Sequence, residues 1–203
     1  MSHPEALAAP TEAYSPGDSI ENPVTGERGT LLEGPWEGDD PSLLVDLHVQ
    51  PGGAVVGEHV HHHLDERFKV KAGQIGFRLD GEESVVGPGH SVEIPRGSWH
   101  DWWNAGEVEA IAEVYVSDGT RFMLMIENLF GLARDGYTNE KGLPGPLQLT
   151  MFATEFRDVL VLKRPPAIVQ RLLFGALRPI AVRRGYRGTY PQYGRSLLRT
   201  SAR

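Results

Sequence analysis

Cysteine is absent from the 203 residues. That excludes disulfides and thiolate metal ligands and fits a reducing compartment. No apolar run approaches the roughly 18 residues of a membrane helix, so no span is expected. The start, Met1-Ser2-His3-Pro4-Glu5, has neither the basic nor the apolar part of a secretory leader, and a cytoplasmic location is expected. Acidic residues are missing from one region only. Residues 163–203 carry 10 basic side chains and no acidic one, whereas residues 1–162 carry 27 acidic against 10 basic. The net charge of −7 conceals this division. An acidic body speaks against nucleic-acid binding. The cheapest partner for the basic tail is the acidic body of its own or a neighbouring subunit, with a membrane surface or nucleic acid as the alternatives.

What is present is a concentration of histidine in glycine-punctuated sequence. One stretch reads Gly53-x5-His59-x-His61-x4-Glu66-x6-Gly73, and a later one Gly89-x5-Pro95-x-Gly97-x2-His100-x3-Asn104. Side chains alternate across a strand, so His59 and His61 share a face about 7 Å apart. Glu66, Phe68 and Val70 likewise share a face, with Arg67, Lys69 and Lys71 opposite. His100 follows the turn Pro95-Arg96-Gly97-Ser98, which returns a later strand toward the first pair. Three imidazoles and a carboxylate are a ligand set for one divalent metal, with Fe, Mn, Zn and Ni all compatible. His62 and His63 are ambiguous, because His63 has the parity of His59 and His61 and suits either the mouth of the site or a ligand position.

Strand-like segments separated by turns run through the first part of the chain. Ser42–Val49 alternates and ends at Pro51-Gly52-Gly53; Ile75, Phe77 and Leu79 share a face before the hairpin signal Asp80-Gly81. Ser84–Val86, Ser91–Ile94, His100–Trp103 and Val108–Val116 bring the total to about eight strands, enough for a jelly roll. The period then changes. Thr120–Ala133 carries a helical stripe, and Leu147–Leu162 and Pro166–Arg184 read as two further helices. In the last, Ile168, Val169, Leu172, Leu173, Ala176, Leu177 and Ile180 form the apolar stripe, Arg171 and Arg178 fall outside it, and Pro179 predicts a kink.

With both motifs matched at every defining position, and 15 residues between Gly73 and Gly89, the chain resembles the cupin superfamily, in particular bacterial single-barrel members. The resemblance implies an all-β jelly-roll barrel holding one metal ion on His59, His61, Glu66 and His100, here followed by an α-helical C-terminal extension. The expected organisation is a flexible arm over residues 1–19, the barrel over 20–119 and the extension with its basic tail over 120–203. Two segments, Ile20–Glu27 and Asp135–Pro144, also look like those of a bacterial single-barrel group, to which no reaction is attached.

Substrate is expected above the metal. Phe68, Phe77 and Trp102 have the parity to line the interior, joined by His63 at the mouth, with Trp99 and Trp103 at the rim. This aromatic lining favours an apolar or aromatic small molecule. Glu113 and Tyr115, with His48 and Asp46, are weak acid–base candidates. The leading functional expectation is a metal-dependent enzyme of dioxygenase type. The alternatives are a non-redox isomerase, cyclase or lyase and a non-enzymatic binding protein. The last helix is expected to pack on protein and help build a homodimer.

Overall fold

The computed structural model of the chain describes residues 3–35, 41–55 and 57–200. In chain order the first ten strands are β1 (Ser19–Asn22), β2 (Glu27–Glu33), β3 (Leu43–Val49), β4 (His59–Val60), β5 (Glu66–Ala72), β6 (Ile75–Leu79), β7 (Glu82–Val86), β8 (Ser91–Ile94), β9 (His100–Asn104) and β10 (Ala110–Val116). Helices α1 (Gly119–Arg134) and α2 (Pro146–Glu155) follow, then β11 (Val161–Leu162) and helix α3 (Ala167–Arg183). The strands form two antiparallel sheets, ordered β1-β2-β3-β10-β5-β8 and β11-β4-β9-β6-β7. Among the described residues they make a two-sheet arrangement rather than one closed hydrogen-bonded cylinder.

The alternation read from the sequence is realised strand by strand. In β5 Glu66, Phe68 and Val70 are buried while Arg67, Lys69 and Lys71 face outward. In β10 Ala110, Ala112, Val114 and Val116 turn inward. Period-2 patterning of this kind pins register, because a one-residue slip would turn every apolar side chain to solvent. Asp80 and Gly81 both take positive φ (49° and 94°), joining β6 to β7 with the backbone twist a two-residue hairpin requires. Gly73 is also required: a Cβ there would sit 2.7 Å from the Ala110 Cα, where β10 passes.

The three helices expected in the C-terminal part are present, with different bounds. The second helix ends at Glu155 instead of Leu162, and Val161–Leu162 becomes a strand paired with β4. The third runs through Pro179 as one helix over Ala167–Arg183, although that proline has no N–H to donate to the preceding turn. Its interior row is Gln170, Phe174, Leu177 and Ala181, whereas Ile168 and Leu172 of the expected stripe are each 70% exposed. Residues 3–18 have no regular structure but are tied to the C-terminal region. Arg195 donates to the carbonyls of Glu12 and Ala13, pairs with Asp18 at 2.9 Å and lies over the Tyr14 ring. Lys163 similarly pairs with Glu58, so part of the basic tail answers the acidic body of its own chain. Arg203, the last basic residue of that tail, lies outside the described residues. No helix among the described residues is long and apolar enough to cross a membrane.

Candidate metal centre and adjoining cavity

Both sheets contribute to the histidine cluster. His59 on β4 stands directly opposite His100 on β9, which places their side chains together on one face of the smaller sheet. His61 follows β4 after one residue. Glu66 opens β5 in the larger sheet, held between Ile94 and Val116 on its neighbours. One donor atom from each of the four residues falls in a cluster whose members all lie within 4.8 Å of one another. All four residues are buried.

The hydrogen bonds behind the rings fix which nitrogen faces the centre. Nδ1 of His59 meets the Gly57 carbonyl at 2.9 Å, Nδ1 of His61 the Val159 carbonyl at 2.6 Å, and Nδ1 of His100 the Ser98 carbonyl at 3.1 Å. A carbonyl only accepts, so each Nδ1 carries the proton and each neutral ring turns the Nε2 lone pair toward the cluster. The consequence is sharpest at His100, whose Nε2 lies 3.0 Å from Oε2 of Glu66. Two lone pairs facing each other at that distance in a buried site require a cation between them, either a proton or a metal ion. Nε2 of His61 and His100 and Oε2 of Glu66 indeed have no hydrogen-bond partner. The donor set therefore fits one divalent ion, with three nitrogens, one oxygen and the outer hydrogen bonds typical of metal-ligating histidines.

Electrostatics in the metal-free protein follow the same logic. Burial pushes His59 down to about 3, with neighbouring His100 and His61 adding to the effect. Burial also lowers His61, although Glu66 opposes it. At His100 burial acts downward but the adjacent Glu66 carboxylate prevails and raises it. Burial alone would raise Glu66, yet the surrounding imidazoles hold it below the usual carboxylate range. The pair of His100 and Glu66 thus favours positive charge between them, as a metal ion would supply.

The cluster opens into a cavity of about 540 Å³, lined by His59, His61 and Glu66 at the metal end and mostly by apolar side chains elsewhere. Phe68 and Trp102 line it as their parity suggests. Phe77 does not; it is buried behind Phe68, ring centroids 5.3 Å apart. His63 is exposed and outside the lining, as is His62. Glu113 and Tyr115 lie on the outer face of β10, where Glu113 approaches Lys71 at 3.4 Å and Arg67 covers the Tyr115 ring. Asp46 joins the same surface pair, and His48 binds Glu109 on that outer face. None of these four reaches the metal end, because odd-numbered residues of β10 point away from the inward row Ala112–Val114. Trp103 packs on the outside against Gly76, whose absent Cβ would meet the indole at 2.3 Å, and Trp99 lies under Lys163.

The rest of the lining was not legible as a site. Part of it comes from Phe122, Met123 and Ile126 on α1, Phe152 on α2, Leu160 beyond it, and Phe174 on α3, and Arg157, Arg171 and Arg178 line it too. The α1 residues belong to a helical stripe that by pattern reads as ordinary core, whereas Phe174 lies outside the stripe read for α3. Asn104, the last residue of the second motif, serves structure instead: its amide donates to the Val49 and Val108 carbonyls, both at 2.8 Å.

Residues 45–117 match the model of the Cupin domain. The chain is similar to Oxidoreductase iacF of Pestalotiopsis fici, 28% identical over 149 residues that cover 69% of this chain and 72% of that protein. Among solved structures, KdgF from Halomonas sp. is 16% identical, covering 53% of this chain and 94% of its own, with a TM-score of 0.42. Streptomyces PAC13, solved with uridine, is 14% identical, covering 51% of this chain and 77% of its own, with a TM-score of 0.41.

Proposed function

This chain belongs to the cupin superfamily, and we propose that it is a metal-dependent enzyme of oxygenase type acting on a small, largely apolar organic molecule. The observation that carries the reading is the pairing of a buried three-histidine, one-carboxylate cluster with a mostly apolar cavity that ends on it. His59, His61, Glu66 and His100 would hold the ion. When bound, a redox-active ion supplies electron transfer toward dioxygen, whereas a redox-inert one supplies only Lewis acidity. The chain's own part is to hold substrate against that centre. Phe68, Trp102 and Phe122 give the cavity apolar walls, and α1, α2 and α3 of the C-terminal extension add to its lining. The name of the relative from Pestalotiopsis fici, an oxidoreductase, favours redox over non-redox chemistry. We place the protein in the cytoplasm as a homodimer joined through the exposed aliphatic face of α3.

The decisive experiment is anaerobic purification with elemental analysis, followed by oxygen-uptake screening of small aromatic and aliphatic compounds. Substrate-dependent uptake by iron-loaded protein, absent from zinc-loaded protein, is the expected result. Turnover with zinc and no oxygen uptake would replace the oxygenase reading with an isomerase or lyase.

A further inference from the structure

The segment Ile20–Glu27, singled out in the sequence without a role, ends inside the cavity. Asn22 folds it into the tight link between β1 and β2. Its side-chain oxygen accepts from the backbone of Val24 and Thr25 at 3.1 and 3.3 Å, its carbonyl accepts from Gly26, and Gly26 takes the positive φ of 72° that closes the turn. Glu27 then begins β2 with its side chain inward. Glu27, Gly29 and Leu31 share that inward face by strand alternation, and all three line the cavity. Gly29 leaves a gap in the row: a Cβ there would meet nothing nearer than Ile20 at 4.0 Å. The second unassigned segment, Asp135–Pro144, reaches the same cavity through Leu143 and Pro144.

Glu27 is 7% exposed, and its carboxylate accepts from the Thr25 hydroxyl. It is not part of the metal centre. By register Glu27 pairs with Val49, which pairs with Ala110, whereas Glu66 pairs with Val116 at the opposite end of β10. The two carboxylates therefore lie three strands apart, at opposite ends of the larger sheet. A carboxyl group buried among apolar walls is costly unless it has hydrogen-bond partners. Thr25 satisfies one side only.

We propose that Glu27 is a specificity-determining residue of the cavity, hydrogen-bonding a hydroxyl group at the end of an elongated apolar ligand remote from the metal. Burial pushes the Glu27 carboxyl up to about 7 against the opposing effect of the Thr25 hydrogen bond, so near neutrality it both donates and accepts. A hydroxyl satisfies either form. An anionic end group would meet a desolvated carboxyl and be rejected. The inference rests on reading the cavity as the substrate chamber, and it adds which end group that chamber selects.

The test compares two isosteric probes, 1-octanol and 1-chlorooctane, by calorimetric titration of the full chain and two variants. In Glu27→Leu the ratio of octanol to chlorooctane affinity should fall about tenfold, the worth of one net hydrogen bond. Glu27→Gln, which keeps a donor and an acceptor, should hold the ratio within about threefold of the parent. Metal loading should be unchanged in both. A ratio unaffected by Glu27→Leu overturns the assignment, as does failure of the parent chain to bind either probe. Loss of metal binding by the parent chain would instead sink the proposed function, while the probe ratio still judges Glu27.

Discussion

His61 donates from Nδ1 to the carbonyl of Val159, 2.6 Å away and 98 residues later in the chain. The metal centre is thus completed from the C-terminal region, and β11 reinforces this by pairing Leu162 with His59. The hydrogen bond orients the ring and makes its other nitrogen a better donor to metal. Val159→Gly keeps the carbonyl but loosens its placement, since Val159 is buried in the main core. Metal affinity should fall roughly tenfold. A competition titration with a chromophoric chelator reads this directly; an unchanged affinity would show that His61 needs no fixed carbonyl.

Single replacement of His59, His61, Glu66 or His100 by Ala should remove most bound metal and leave the protein folded, because the apolar core is untouched. His62→Ala and His63→Ala should retain it, both side chains being exposed. Elemental analysis with circular dichroism on each variant decides the matter. Full occupancy in His100→Ala with loss in His63→Ala would exchange their roles.

Proton competition gives the pH dependence. Burial works downward on His100, but the Glu66 carboxylate raises it above the ordinary histidine value. Metal binding needs that ring unprotonated, so affinity should already be weakening at the ordinary histidine value of about 6.5 and be largely lost by about pH 5. Metal retained at equilibrium below that range would argue against histidine ligation.

The clustering of His59, His61, Glu66 and His100 was legible in the sequence because strand alternation and glycine turns fix where such side chains go. His59, His61 and Glu66 need only the period of two. What pattern does not encode is the partner across a fold. The Val159 carbonyl is backbone, with no residue type to mark it. For α3 the apolar stripe was read correctly as a stripe, but period alone cannot say which helix face turns inward. The observed inner row holds Gln170 and Phe174, and the richer aliphatic row stays outside. Leu147–Leu162 looked continuous because Phe156, Val159 and Leu160 keep helical spacing, yet Val161–Leu162 finds an unpaired sheet edge at β4. Glu113 and Tyr115 failed as candidates for the opposite reason: alternation, applied strictly to β10, already turned them outward.

Two buried carboxyls away from the metal centre set a second pH effect. Burial raises both Glu27 and Glu127 to about 7; Thr25 opposes the shift at Glu27, while Ser196 and Tyr14 oppose it at Glu127. An acid with a raised folded value favours folding fully below its unfolded value, near about 4.3. That contribution is lost as pH rises toward 7. Denaturant unfolding should therefore show stability declining over that window, by at most about 3 kcal/mol for each group. Glu27→Gln should flatten part of the decline. A flat profile in the parent protein would mean that neither group is protonated in the native state.

The outer face of α3 carries the last prediction. Ile168 and Leu172 are 70% exposed, one turn apart, with Val169 and Leu173 at 45% and 44% beside them. Scattered exposed aliphatics are ordinary, but four contiguous ones on a helix otherwise rich in arginine make a patch. Covering it on a second copy would contribute roughly 1.5–3 kcal/mol for each side chain fully buried, before the cost of association. A membrane surface would be drawn by the same helix through Arg171, Arg178 and Arg183, yet a nearby acidic protein body offers those arginines the same charge. Leu172→Asp places a charge in the patch centre and touches neither the inner row nor the metal ligands. The parent protein should sediment as a dimer, the variant as a monomer with full metal content, and neither should pellet with anionic vesicles. A parent monomer at all concentrations, or salt-sensitive vesicle binding lost in Leu172→Asp, would reject the dimer and assign the face to membrane or to no partner at all.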